Sequence, residues 1–183
     1  MLAQSKLHES APKLIIVMGV SGCGKSSVGS AIAHDLGYQF IEADDYHSER
    51  SKKHMAAGKP LTDAMREPWL QRLCDKLCEQ PKQNTVMAYS GLRRKHRQRF
   101  RELGFDTLYI HLYGELDVVL QRMQKRNGHF MPSSLLASQY EALELPDAEP
   151  DVVTLDLGID LQHIVERAHA VVKLIQSPGA VVA

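Results

Sequence analysis

The stretch MGVSGCGKSS, residues 18–27, stands between the apolar run Leu14, Ile15, Ile16, Val17 and a segment in which Val28, Ile32, Ala33 and Leu36 recur at helical spacing. Its spacing, Gly19, four residues, then Gly24, Lys25 and Ser26, is the pattern G-x-x-x-x-G-K-[ST]. Glycines let the backbone curl so that successive N–H groups point inward at an anion. The helix that follows adds free amides and the positive end of its dipole. A strand before the loop and a helix after it are the context that separates a phosphate cradle from a chance glycine-rich turn. Lys25 then reaches the β and γ phosphates of a nucleotide, and the Ser26 hydroxyl takes a coordination place on magnesium. The expected nucleotide contacts are Gly19, Ser21, Gly22, Cys23, Gly24, Lys25, Ser26 and Ser27, with Cys23 offering its backbone amide and no thiol chemistry.

At 183 residues the chain has the length of one α/β domain and is short for two. Lys plus Arg and Asp plus Glu both number 22, so the formal charge is zero, which argues against a general nucleic-acid or membrane-surface partner. Cys23, Cys74 and Cys78 are odd in number and follow no disulfide or zinc spacing, as expected in a reducing cytoplasm. Residues 1–12, MLAQSKLHESAP, lack the apolar centre of a secretory signal, and the longest apolar runs are of strand length. A cytoplasmic protein with a flexible amino terminus over 1–12, one domain over 13–176 and a flexible tail over 177–183 is expected.

Strand and helix signals alternate, which predicts an α/β fold with a parallel sheet covered on both faces. Strands are expected at Lys13 to Met18, Tyr38 to Glu42, Thr85 to Tyr89, Thr107 to Leu112 and Val152 to Asp156. Helices are expected at Lys25 to Leu36, Glu49 to Ala57, Met65 to Glu79, Arg94 to Leu103, Leu116 to Lys125, Ser133 to Leu143 and Leu161 to Gln176. Gly58, Pro60, Pro81, Gly104, Gly114, Asn127-Gly128, Pro146 and Gly158 punctuate them. Ligands are then expected at the carboxyl ends of the strands, where the phosphate loop lies.

The segment FIEADDYH, Phe40 to His47, ends a strand at that same edge. A phosphotransferase needs one acidic group for magnesium and another to orient or deprotonate the accepting hydroxyl. Glu42 and Asp44, two apart, face one side of an extended strand end; Glu42 is assigned to the metal and Asp44 to the acceptor. Asp44 and Asp45 have a plainer reading as N-caps of the next helix, preferred for Asp45. His47 has two readings, a substrate contact or the end of a turn.

These motifs, together with MAAGKPLTDAMREPWL (55–70), RNGHFM (126–131) and SQYEALELP (138–146), resemble in order the gluconate kinase (gluconokinase) family of P-loop kinases, related to shikimate and nucleoside monophosphate kinases. The resemblance runs over about residues 13–175. It implies a three-layer fold with sheet order 2-3-1-4-5, a mobile lid over about 122–135, and ATP-dependent, magnesium-requiring phosphorylation of D-gluconate to 6-phosphogluconate. Family members are often dimers, so a homodimer is the assembly the resemblance suggests. Glu42 stands where the family usually has aspartate, Met65 an acid, Ser48 a proline, Ser51 an asparagine, and Arg93 a lysine.

Gluconate carries a carboxylate and a row of hydroxyls, so its pocket needs a cation. Arg66 and Arg93 are the candidates, each with a plainer reading as a surface arginine paired with Glu67 or Glu102. The rest of the Arg93–Arg101 cluster reads as a solvated helix face. Arg122 and Arg126, four apart, are expected on one helical face towards the nucleotide, Arg126 as the catalytic lid arginine and His129 at the lid tip against substrate. Trp69 reads as a core residue. A shikimate or other hydroxy-acid kinase and a non-catalytic ATP-binding regulatory module are the alternatives.

Overall fold

The computed structural model describes residues 11–125 and 133–176. Its strands are β1 (Lys13–Met18), β2 (Gln39–Glu42), β3 (Thr85–Ala88), β4 (Asp106–Tyr113) and β5 (Val152–Asp156). All pair in parallel, in the order β2-β3-β1-β4-β5. The helices are α1 (Lys25–Leu36), α2 (Glu49–Ala56), α3 (Asp63–Glu79), α4 (Arg94–Arg101), α5 (Leu116–Lys125), α6 (Ser133–Ala142) and α7 (Leu161–Gln176), and a single 3-10 turn spans Ala43–Tyr46. No helix among the described residues is long and apolar enough to cross a membrane.

β1 lies at the centre and is apolar on both faces because both are covered. Ile15 and Val17 pack towards α1 and α7 with Val28, Ile32, Ile164 and Ala168. Leu14, Ile16 and Met18 pack towards α3 and α4 with Trp69, Leu73 and Phe100. The alternation of the strand therefore divides the core into two layers, one per face. Asp106 N–H donates to the Pro12 carbonyl (2.9 Å), so the sheet grips the chain just before β1.

α4 departs from the expected solvated face. Arg97 is fully buried, donating to the carbonyls of Gly91 (2.6 Å) and Glu144 (3.0 Å) and to both carboxylate oxygens of Glu149, which is 8% exposed. Arg101 forms a fork on Asp151 (2.8 Å twice), reaches Glu149 (2.6 Å) and lies over the Tyr109 ring. On the other side Arg99 pairs with Glu67 and Lys95 with Asp63 (2.6 Å), tying α4 to α3. A charge run spread around a short helix can be solvated or paired on several sides; here partners on α3 and before β5 pair it.

Asp45 also differs from its preferred reading. It is exposed within the 3-10 turn, and the N-cap of α2 is Ser48, whose hydroxyl accepts from Ser51 N–H (3.1 Å). The four-residue turn Ala43–Tyr46 and then His47 and Ser48 separate the end of β2 from α2, so an aspartate at 45 lies too early to cap it.

Burial alone would raise the Glu149 carboxyl, but hydrogen bonds and charge from Arg97 and Arg101 outweigh it and hold it at about 2. Its folded-state value lies below the unfolded one, so its contribution is complete above the ordinary carboxylate range and is lost as pH falls towards about 2. Glu149→Gln, which leaves Arg97 buried beside a neutral amide, is expected to cost about 3 kcal/mol. Urea unfolding of both proteins from neutral to acid pH checks this: the difference should shrink as pH falls through that window.

Candidate active site

The loop between β1 and α1 has the geometry of a phosphate cradle. At Gly19, where φ is 144°, a side-chain carbon would lie 2.6 Å from the Leu112 carbonyl oxygen, so only glycine lets the chain leave β1 this close to β4. At Gly22, φ is 80° and the same carbon would lie 2.4 Å from the Met123 side chain of α5. Gly19 N–H donates to the Ser90 carbonyl (3.1 Å), seating the loop on the segment after β3. No side chain caps α1 at Gly24, so the amides of its first turn, from Lys25, Ser26 and Ser27, are the helix's open donors. Cys23 is fully buried, consistent with a backbone role. Lys25 Nζ donates to the Val20 carbonyl (3.0 Å), folded back on its own loop.

Ser21, expected among the nucleotide contacts, is joined to α6. Its N–H donates to Gln139 Oε1 on α6 (2.7 Å), and Gln139 Nε2 donates back to the Ser21 hydroxyl (3.1 Å).

β2 ends at Glu42, and the chain tightens at once into the 3-10 turn that carries Asp44. The two carboxylates consequently serve different places. Glu42 is half-buried; burial pushes its carboxyl up, the neighbouring Ser26 hydroxyl pulls it down, and the charge of Asp44 pushes it up again. Asp44 is exposed and opens onto a cavity of about 550 Å³ at the carboxyl ends of the strands. Lys25 and Ser21 reach the same cavity, so the phosphate cradle and Asp44 share one cleft.

Among the described residues the walls of this cavity carry four full cations, Lys25, Lys52, Arg66 and Arg93, and one carboxylate, Asp44. Arg66 pairs with Asp63 (3.3 Å) and Arg93 with Glu144 (3.6 Å), in place of the partners Glu67 and Glu102. The buried Arg93 Nε has no hydrogen-bond partner among the described residues. The backbone of His47 closes the 3-10 turn on Asp44 (3.3 Å), as its turn reading expects, and its ring lines the cavity, stacked 4.0 Å from Trp69 with Nε2 3.7 Å from Asp44. Burial pushes its imidazole down, opposed by Asp44. Trp69 is a core residue that is also a cavity wall; its Nε1 donates to the Ala43 carbonyl (2.7 Å) and thereby fixes the turn that carries Asp44.

Arg122 donates to the carbonyls of Leu157 (2.6 Å) and Ile159, joining α5 to the loop after β5. Arg126 and His129 lie outside the described residues, with most of the expected lid. Lys52, His96 and Gln139 line the cavity without having been singled out from sequence. Lys52 and His96 stand in runs of charge that look like surface, whereas Gln139 falls inside the motif SQYEALELP.

A parallel sheet in this order, a phosphate loop at its centre and an acidic turn beside it define a P-loop kinase fold. The family model described as "AAA domain" matches residues 14–146. A probable gluconokinase of Xenopus tropicalis is 39% identical over 171 residues, covering 84% of this chain and 90% of that protein. The thermosensitive gluconokinase of Escherichia coli K12 is 39% identical over 169 residues, covering 91% and 90%. The crystal structure of a gluconokinase from Sinorhizobium meliloti 1021 superposes with a TM-score of 0.83 at 42% identity, covering 91% of this chain and 94% of that one. The chain belongs to the gluconokinase family.

Trp69→Phe removes the bond to the Ala43 carbonyl while keeping a ring beside His47. It is expected to cost about 1–2 kcal/mol, the price of one buried hydrogen bond. Because the change loosens the turn under Asp44, KM for the phosphoryl acceptor should rise more than KM for ATP. Denaturant unfolding and steady-state kinetics read the two effects.

Proposed function

We propose that the protein transfers the γ-phosphoryl group of ATP to a hydroxyl of D-gluconate, giving 6-phosphogluconate and ADP. The observation that carries this reading is the single cleft in which Lys25 and the phosphate cradle meet Asp44 within cationic walls. A sugar acid is an anion rich in hydroxyls, and four cations around one carboxylate suit both of its features. Its carboxylate pairs with Arg93 and Arg66, and its chain of hydroxyls lies along His47, His96 and the turn after β2.

In the reaction Asp44 orients the accepting hydroxyl and takes its proton, while the cradle amides of α1 hold the phosphates. Lys25 leaves the Val20 carbonyl and moves onto the β and γ phosphates, where its charge follows the group in transfer. Little covalent chemistry is asked of the protein, so holding donor and acceptor in line is most of the catalysis.

Ser26 and Glu42 are the residues that would hold magnesium. Both offer hard oxygen atoms, the Ser26 hydroxyl acts on the Glu42 carboxyl, and no cluster of three or more His, Cys, Asp or Glu among the described residues makes a cage for a metal. That fits an ion held by two protein oxygens, the phosphates and water. When bound, magnesium neutralises charge on the β and γ phosphates. Arg126 and His129 complete the site in this reading, as the lid arginine and a substrate contact, and Arg122 serves the nucleotide side from α5.

ADP release measured with gluconate, with shikimate and with no acceptor tests the assignment: turnover is expected with gluconate alone and in the presence of magnesium, ceasing on chelation. Turnover with shikimate in preference, or independence of any acceptor, overturns it.

Two variants test the roles. Asp44→Asn should lower kcat about a hundredfold or more and leave ATP affinity near that of the unaltered chain; a collapse of ATP binding alone would move Asp44 to the metal. Lys25→Ala should abolish transfer with the thermal unfolding curve unchanged, and near-normal turnover in that variant refutes the cradle.

A further inference from the structure

Gln139 makes two hydrogen bonds to Ser21 across 118 residues of sequence. The identity of the atoms follows from the donors present: the Ser21 N–H can only donate, so the carboxamide atom 2.7 Å away is the oxygen. The carboxamide nitrogen then faces the Ser21 hydroxyl at 3.1 Å and donates to it. A hydroxyl that accepts in this way keeps its own proton for another partner. Ser21 and Gln139 both line the cavity that holds Lys25 and Asp44, so that proton is offered where the phosphate cradle meets the acceptor.

The clamp is anchored just after the carboxamide. Tyr140 OH donates to the Gly114 carbonyl (2.6 Å), and Glu144 N–H, just beyond α6, donates to the Leu92 carbonyl (2.8 Å), so the carboxyl-terminal end of the helix is tied to the segments after β4 and β3.

We propose that Gln139 is a positioning residue for phosphoryl transfer, whose carboxamide holds the Ser21 hydroxyl as a hydrogen-bond donor towards the transferring phosphoryl group. The inference rests on the kinase reading above. It explains why a neutral amide stands here: a carboxylate would accept hydrogen bonds from both Ser21 groups, turning the hydroxyl away from the phosphates, and would place negative charge beside them.

The test uses Gln139→Ala, Gln139→Glu, Ser21→Ala and the double variant Ser21→Ala/Gln139→Ala in the full chain, with kcat and KM for ATP and gluconate and a thermal unfolding curve for each. Loss of one oriented donor in a transition state lowers kcat on the order of a hundredfold. Each single variant should show that loss with ATP KM little changed. The double variant should be no worse than either single, because both remove one device. Gln139→Glu should be as slow as Gln139→Ala although it keeps the bond from Ser21 N–H. Losses that multiply in the double variant, a rise in ATP KM with kcat intact, or full kcat in Gln139→Glu each overturn the proposal. If Gln139→Ala unfolds early, Ser21→Ala and Gln139→Glu decide. Normal gluconate turnover in the unaltered chain with unaffected variants overturns the clamp alone, whereas no turnover in the unaltered chain overturns the kinase reading and the clamp with it.

Discussion

The constraint on which the site depends is the passage of the backbone from β1 into α1 past the end of β4. At Gly19 the chain runs so close to the Leu112 carbonyl that any side chain would collide with backbone, and backbone cannot swing away as a flexible side chain can. This close approach aims the start of α1 along the sheet edge and leaves its first amides uncapped at the mouth of the cleft. The strand order follows the same geometry. β3 and β4 flank β1, so the segment after β3 supplies Ser90 beneath the loop on one side and Leu112 closes the other. The cavity opens at this edge because all the strands run parallel, which puts the loops that follow them at one end of the sheet.

Charge is distributed by the same logic. A chain with no net charge still places four cations and one carboxylate on the described walls of the cleft, while other basic groups turn to carboxylates elsewhere. On α4, Arg97 and Arg101 turn to Glu149 and Asp151, and Lys95 and Arg99 turn to α3. Arg93, at the N-cap of that helix, is left at the cavity wall with a single long pairing to Glu144. The buried ion network therefore has a consequence for the site. It fixes the segment before β5 against α4, and the Arg97 bond to the Glu144 carbonyl holds the chain just beyond α6, the helix that carries Gln139. Removing one member of such a network leaves an uncompensated buried charge, which is why its partners are interdependent.

Local signals and distant partners were legible to very different degrees. β1 and α1 begin and end, and α5 and α7 begin, where glycine, proline and the apolar period place them, since those boundaries are decided within a few residues. α4 stops at Arg101, two residues short of expectation, because Leu103 N–H bonds to Phe100, three residues back, and the helix tightens into a turn before Gly104. α3 starts two residues early because Thr62 accepts from Met65 and caps it, a signal present in the sequence as T-D-A-M. The phosphate loop was legible because its chemistry is contained in ten consecutive residues. The partners of Arg97, Arg101 and Ser21 were not, because nothing near an arginine or a serine in sequence names a carboxylate or a carboxamide about 50 or more than 100 residues away. Strand order was likewise supplied by family resemblance and not by periodicity.

The division between Glu42 and Asp44 shows how one backbone turn creates two chemical environments. On a continuing strand both carboxylates would project to one side and compete for one cation. The 3-10 turn begins between them, burying Ala43, and Trp69 holds that carbonyl from α3. Glu42 is left half-buried against Ser26, where burial and the neighbouring charge of Asp44 both work against its ionisation. A divalent cation there would relieve both penalties together, whereas a proton would relieve them only by removing the ligand. Asp44 is exposed and lines the cavity, with His47 Nε2 3.7 Å from its carboxylate. In the proposed reaction, the separation of a metal side from an acceptor side would follow from where the strand ends, and the Trp69 anchor on the far side of the turn is what holds that turn in place.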